Sequence, residues 1–538
     1  MASYRTSDHK GASVLVAQLA TSGLKHVVIS PGSRNAPLTI AFDAHPDVKT
    51  HVVIDERSAA YYALGLGLRT GTPAAVVCTS GTASLNHGPA IAEAFHGRTP
   101  LISITADRPT NVIDKGHGQS VFQAGVFGKN CSYSVVIEES EMSEEAIIVE
   151  AKKAYDIAST GTSVHINVPF EEPLYGLTES DFTLNLIEST SKVEEVPEIP
   201  AELLVDEVKV LIVAGSLPFY QCESLGLYLA GVCERFSGIH GAAIVHSADL
   251  LLCHNEGAIP QELEPDVIVT VGTPTLSKSF RNYLLDKRPN HYHINASGKG
   301  WDTWGSLITV IKSDPMLWLK EYSEVFKGSQ EYIELWKNAR VGLEIEISDI
   351  PWSDFKAFET ILNSIPSKST AHLSNSTSAR YVQLIDCPKS LKFHCNRGVA
   401  GIDGCTSTAV ADAEVSGEQV FLISGDIAFM YDINGLALTE RIPSNFNVIV
   451  INNGGGEIFR WLDGPESIGL VDKYFETKPR TSIKSAGDYC GLKYFCATNE
   501  EETQRAIEQM CNSDTAVVLE VVTNGLKSTE VYKTILKK

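Results

Sequence analysis

The residues best suited to chemistry are an aspartate and an asparagine that each end an apolar run. VFLISGD delivers Gly425 and Asp426, and NVIVINN delivers Asn452 and Asn453 ahead of three glycines at 454–456. A carboxylate and a side-chain amide oxygen are hard donors of the kind Mg²⁺ takes in octahedral geometry, usually sharing the ion with phosphate oxygens of a ligand. The glycines leave room for a backbone carbonyl to approach the same ion. A third oxygen group, Glu56, opens the helix-like stretch ERSAAYYALGLG directly after the apolar run HVVID. A carboxylate there complements the positive end of a helix. The purely structural alternative is that GD closes a strand, NNGGG is a turn and Glu56 serves only the helix dipole.

Such residues need strand ends to hold them, and the chain supplies strand-length apolar runs throughout. From Ser13 to about residue 170 these are HVVIS (26–30), HVVID (51–55), AAVVC (74–78), PLISI (100–104) and VHINV (164–168), with helix-compatible stretches between them. Short Val/Ile-rich runs alternating with helices predict βαβ units and a parallel sheet covered on both faces. The segment 176–200 is acidic, rich in Ser and Thr and ends in Pro, as a linker would. A second block runs from VKVLIVAGS through AAIVHS, DVIVTVGT and HYHINAS to a Trp-rich helical region. A third carries FLISGD, NVIVINN and AVVLEVV after a break near ISDIPWSD. The expected fold is α/β with three doubly wound parallel-sheet domains, at 1–178, 200–340 and 350–538. Ligands in open sheets of this kind bind at the carboxyl ends of the strands, where Asp426 and Asn453 fall.

Size and composition bound the possibilities. The 538 residues exceed what one hydrophobic core organises. No apolar run approaches the roughly 20 residues that span a bilayer, and the first ten residues, MASYRTSDHK, lack the apolar centre of a secretory signal. These features predict a soluble cytoplasmic protein, cytosolic or stromal, with no membrane insertion. The 11 cysteines are scattered and never form CxxC, which argues against a disulfide framework or a zinc site. A formal charge of −22 disfavours nucleic acid. Small anions stay possible where arginines cluster against the global field.

The GD and NN pairs are separated by 25 residues, and this pattern resembles the thiamine diphosphate fingerprint of decarboxylases, synthases and transketolases. The resemblance implies Asp426 and Asn453 as metal ligands, the Gly455 carbonyl as the third, and the diphosphate completing the shell of Mg²⁺ or Mn²⁺. It makes Glu56 the activator that hydrogen-bonds the aminopyrimidine ring, and Ile402 and Ile458 candidates to pack against the rings. It also casts 1–178 as the pyrimidine-binding domain and 350–538 as the diphosphate-binding domain. A cofactor bridging the two, usually between subunits, implies a homodimer or homotetramer.

SPGSRNAPL (30–38), DERSAAYYALGLG (55–67), CTSGTASLNHGPAIAEA (78–94), TADRP (105–109), NSTSAR (375–380) and NRGVAGIDG (396–404) narrow the choice. Together they closely resemble the 2-succinyl-5-enolpyruvyl-6-hydroxy-3-cyclohexene-1-carboxylate synthase family of the menaquinone and phylloquinone route. That family decarboxylates 2-oxoglutarate and adds the resulting succinyl-semialdehyde carbanion to isochorismate. By matching motifs, Ser33, Arg34, Arg108 and Gln119 would hold isochorismate, with Lys278 contributing from the middle domain. Ser376 and Arg380 would hold the distal carboxylate of the 2-oxoglutarate-derived group, helped by Arg397, and Phe459 would shape the pocket. Residues 376 and 380 would share a face if both were helical.

Each assignment has a plain alternative: Arg34 could bond turn carbonyls, Lys278 could be solvated, and Phe459 could fill core. Two positions depart from the family pattern. Gly118 stands where Asn commonly precedes the glutamine, and Ser279 follows Lys278 where Arg is common, leaving Arg281 as a substitute. Another thiamine diphosphate carboligase or oxoacid decarboxylase, and a non-catalytic cofactor binder, are the competing functions. Retention of Glu56 beside the metal motif disfavours the last.

Overall fold

Three six-stranded sheets carry the chain, and every pairing within them is parallel. The computed structural model describes residues 4–180, 184–188, 199–221, 225–346, 349–387, 390–461 and 463–537. The α/β class read from the sequence is the observed one. Most of the 176–200 segment lies outside the described residues, and the part that is described opens with the strand Leu177–Glu179, paired antiparallel with Arg5–Ser7.

The first sheet runs, edge to edge, Lys49–Val52, His26–Ile29, Ala74–Cys78, Leu101–Asp107, Ser163–Pro169 and Tyr133–Val136. The third runs Lys392–His394, Thr370–Leu373, Val420–Gly425, Phe446–Asn452, Val517–Val522 and Lys493–Ala497. Numbered along the chain, both have the order second, first, third, fourth, sixth, fifth. The order reverses between first and third strands, so each sheet has a crevice at the carboxyl ends of that pair. The middle sheet, with Val210–Ala214 beside Val267–Val271 at its centre, has the order third, second, first, fourth, fifth, sixth. Interior strands such as Ala74–Cys78 and Leu101–Asp107 are buried along their whole length, as helix cover on both faces requires.

The chain forms two compact units. One comprises Met1–Val193, Asn396–Ser416 and Asp432–Ile442; the other comprises Glu194–Cys395, Gly417–Tyr431 and Pro443–Lys538. Within the first, the helix Glu56–Thr70 lies against the helix Cys405–Ser416 so closely that a Cβ on Gly65 would strike the Thr408 carbonyl and, at 2.8 Å, the Ala411 side chain. The Asp432 carboxylate joins the two helices. It accepts the Ser407 N–H at 2.7 Å, the Ser407 hydroxyl at 2.9 Å and the Ser58 hydroxyl at 3.3 Å. The next segment follows the edge strand, with the Ile54 N–H on the Leu438 carbonyl and the Glu440 N–H on the Val52 carbonyl.

The second unit holds the middle and third sheets. Trp304, Trp336 and Phe280 lie in the core of the middle sheet. Phe355, Phe358, Ile361 and Tyr381 lie in the core of the third, where Trp461 stacks on Tyr532 with ring centroids 3.6 Å apart. None of the ten described cysteines forms a disulfide with another described residue. Among the described residues no helix is long and apolar enough to cross a membrane.

Burial pushes the Asp432 carboxyl up to about 7, against the opposing pull of the Ser407 N–H. A buried acid raised in this way keeps its proton in the fold at pH values where the unfolded chain has lost it, so stability falls as pH rises from about 4 to about 7. The thermal midpoint of Asp432→Asn is expected to move upward relative to the parent across that window. A difference that does not change with pH would contradict the assignment.

Candidate active site

In the first unit, the crevice between the first and third strands is walled by the loops that follow them. Gly32 of SPGSR sits against the Thr79 side chain, where a Cβ would not fit. Ser33 is exposed, and the neighbouring Arg34 is buried, at 5% exposure. Arg34 donates to the Phe170 carbonyl at 2.9 Å and to Glu172 at 3.0 Å, so it does hold backbone and carboxylate, and its Nε remains buried without a hydrogen-bond partner. Burial, followed by the nearby positive charge of Arg108, lowers its pKa. Arg108 leaves the end of the fourth strand and donates to the Gln119 side-chain oxygen at 3.3 Å, and its Nε too is buried and unspent. The fold therefore brings Arg108 together with Gln119 and near Arg34.

Residues outside the sequence reading fix this cluster. Gln123 accepts the Gly81 N–H at 2.7 Å and donates to Asn167, which donates to Asp107 at 2.9 Å, while Asp107 caps the Arg108 N–H at 2.7 Å. Gly81 has φ 86° and lies 3.1 Å, measured from an ideal Cβ, from the Gln119 backbone. A chain of buried amides thus ties the TSGT loop to the arginine loop. Arg397 is half-buried beside Glu93, whose carboxylate accepts the N–H groups of Gly398 and Val399 at 2.6 and 2.7 Å. Ile402 follows on the same loop, half-buried.

Glu56 is the first residue of its helix. Asp55 caps that helix by accepting the Arg57 and Ser58 N–H groups, and its second oxygen accepts from Asn434 at 2.7 Å. Burial raises the Glu56 pKa, its own backbone N–H opposes this, and the Asp55 charge adds to it. A half-buried carboxyl whose burial disfavours its charged form is suited to accepting a proton in a hydrogen bond.

The second unit repeats the arrangement with oxygen in place of nitrogen. Gly425 pairs with Ile451 in register, so Asp426 and Asn453 leave adjacent strand ends. Asp426 is buried, at 2% exposure, and its Oδ2 has no hydrogen-bond partner. Burial pushes its carboxyl up to about 6, opposed by the Ile427 N–H, with the charge of Asp354 adding to the rise. Asn453 donates its Nδ2 to Asp354 at 2.7 Å, leaving Oδ1 available. Gly455 has φ 138° and packs against the Glu476 carbonyl, so only glycine fits. Ile458 and Phe459 occupy the turn Glu457–Trp461, with the Phe459 ring 5.2 Å from that of Phe475. The described residues contain no Lys or Arg ion pair to Asp426 or Asp354. An all-oxygen donor set with an unspent buried carboxylate oxygen fits a hard dication bound together with phosphate.

Ser376 corrects one expectation. It does not share a helix face with Arg380, because it precedes the helix Thr377–Leu384 in a left-handed conformation at φ 79°. Arg380 is on the helix, 3.9 Å from Asp249. The other Asp249 oxygen accepts from Ser277, which caps the helix Lys278–Lys287. Lys278 is exposed at the start of that helix, next in sequence to the Ser277 that contacts Asp249.

Comparison with known proteins accounts for this pattern. Residues 9–126 match the model of the thiamine pyrophosphate enzyme N-terminal TPP binding domain, and 376–521 match that of the C-terminal TPP binding domain. A 2-succinyl-5-enolpyruvyl-6-hydroxy-3-cyclohexene-1-carboxylate synthase of Flavobacterium psychrophilum is 36% identical over 94% of this chain and 94% of its own length. Synthases of the same name from Flavobacterium johnsoniae and Porphyromonas gingivalis are 36% and 33% identical, covering 96% and 98% of this chain and 97% and 96% of their own. The chain belongs to the 2-succinyl-5-enolpyruvyl-6-hydroxy-3-cyclohexene-1-carboxylate synthase family of thiamine pyrophosphate enzymes.

Proposed function

We propose that the protein decarboxylates 2-oxoglutarate and joins the remaining four-carbon unit to isochorismate by 1,4-addition, releasing CO₂, as a step of menaquinone biosynthesis. The observation that carries this reading is the convergence of Arg34 and Arg108 in a chain of net charge −22, each with a buried Nε unspent. Two guanidinium groups held together against their mutual repulsion suit a dianionic ligand. Relatives covering nearly the whole chain bear the name of the synthase for this product.

Thiamine diphosphate, when bound, supplies the thiazolium that accepts the electron pair left by loss of CO₂. The chain's own residues orient the partners. Glu56 would hold a proton for the aminopyrimidine ring. Asp426, the Asn453 amide oxygen and the Gly455 carbonyl would hold Mg²⁺ or Mn²⁺, with the diphosphate completing the shell. Ile402 and Ile458 would pack against the rings. Ser33, Arg34, Arg108, Gln119 and Lys278 hold isochorismate, with Phe459 shaping the pocket. Ser376, Arg380 and Arg397 hold the distal carboxylate derived from 2-oxoglutarate. Gly118, directly before Gln119, withdraws one side-chain hydrogen bond from the isochorismate set. The proposed active species is a homodimer or homotetramer in which each cofactor joins two copies of the chain, in a reducing cytoplasm that suits its free cysteines.

Supplying Mg²⁺, thiamine diphosphate, 2-oxoglutarate and isochorismate is expected to consume isochorismate, followed by its absorbance, and no consumption with cofactor bound would overturn the reading. In the same assay Glu56→Gln should bind cofactor normally and lose about 10²- to 10⁴-fold in kcat; retained turnover would remove Glu56 from its role. Arg380→Ala should raise KM for 2-oxoglutarate more than for isochorismate, and the opposite split would move Arg380 to the other substrate.

A further inference from the structure

Asp354 begins the helix Asp354–Ser364 of the second unit and is wholly buried. Its partners are donors from three places around the end of the third sheet. Oδ1 accepts the Thr523 hydroxyl at 2.6 Å and the Ser528 hydroxyl at 2.9 Å, and Oδ2 accepts Nδ2 of Asn453 at 2.7 Å. The Ser528 oxygen in turn accepts the Asp354 N–H at 2.9 Å. The Thr523 N–H reaches the Asn452 carbonyl at 3.0 Å, so the same loop grips the strand end next to Asn453. No residue type or spacing in the sequence singles out Asp354.

A carboxylate only accepts hydrogen bonds, so an asparagine turned toward one must present its NH₂. The reverse orientation would set the amide oxygen against a carboxylate oxygen. With Nδ2 held by Asp354, the Asn453 oxygen has one orientation left, away from that contact.

We infer that Asp354 is the positioning residue of the cation site: it fixes the Asn453 amide with its oxygen toward the ion. This rests on the reading of Asp426 and Asn453 as ligands. Outer partners of this kind orient metal ligands, and their loss commonly lowers metal affinity about 10- to 100-fold.

The test is calorimetric titration of Mg²⁺ into the full chain in excess thiamine diphosphate, beside the thermal midpoint of the metal-free protein. Asp354→Asn is expected to weaken Mg²⁺ about 10- to 100-fold while the metal-free midpoint holds or rises, because an uncompensated buried charge is gone. Asn453→Asp should weaken Mg²⁺ as well, since it sets two carboxylates face to face. The double exchange Asp354→Asn/Asn453→Asp should recover at least about tenfold over Asn453→Asp, because an amide again donates to a carboxylate across the same contact. An unchanged Mg²⁺ affinity in Asp354→Asn, with or without a lowered midpoint, would overturn the inference. A double variant no better than Asn453→Asp would do the same, and it decides the matter if Asp354→Asn alone fails to fold. Asn453→Ala and Asp426→Asn separate the two layers. If both keep parent affinity, the ligand reading itself fails; if they lose it while Asp354→Asn does not, only the positioning role fails.

Discussion

Burying a carboxylate without a basic partner is costly by several kcal/mol, and the second unit does it twice in one place. Asp426 has an oxygen with no hydrogen-bond partner, and Asp354, wholly buried, is held only by neutral donors. Much of the surrounding structure follows from that constraint. The strands Val420–Gly425 and Phe446–Asn452 must be adjacent and in register to bring Asp426 beside Asn453. Gly455 must be glycine to let the backbone turn there at φ 138°. A dication bound with a diphosphate, as proposed, would offset the buried charge and draw on donors the fold has already aligned.

The two outer sheets share one strand order, and each carries candidate site residues after the first, third and fourth strands, with Glu56 following the second strand of the first sheet. In the first sheet those positions carry Arg34, the TSGT turn and Arg108. In the third they carry Ser376, Asp426 and Asn453. One topology thus presents cationic side chains in one unit and oxygen donors in the other. Each set is braced by buried polar residues: Gln123, Asn167 and Asp107 in the first unit, and Asp354, Thr523 and Ser528 in the second. Fixing side chains before ligand arrives reduces the ordering that binding would otherwise require.

Interior strands were legible in the sequence because burial on both faces demands unbroken apolar runs. AAVVC is the strand Ala74–Cys78 residue for residue. The strands that escaped notice are mostly edges: Tyr133–Val136, Leu307–Ile311, Lys392–His394 and Lys493–Ala497. An edge strand has one flank free and carries polar or charged residues there, so its pattern blurs. Thr370–Leu373 is interior but short, with Thr and His in place of branched apolar side chains. Periodicity is also local, so it gave no sign that Asn396–Ser416 and Asp432–Ile442 form a compact unit with residues three hundred positions earlier. At the candidate site, motifs singled out Asp426 and Asn453, which leave adjacent strand ends, and Arg108 and Gln119, which hydrogen-bond each other. They did not reveal Asp354 or Gln123, whose roles arise from contacts across the fold, or the left-handed backbone that takes Ser376 out of its helix.

The central claim is that the strand ends at Asp426 and Asn453 hold the cofactor through a divalent cation. Equilibrium binding of thiamine diphosphate to the full chain, stripped of divalent ions and measured by calorimetry with and without added Mg²⁺, tests it most directly. The expected result is tight binding with Mg²⁺ and binding weaker by about 100-fold or more without it, since removing the ion sets the diphosphate against two buried acids. Equal affinity in the two conditions would contradict the account.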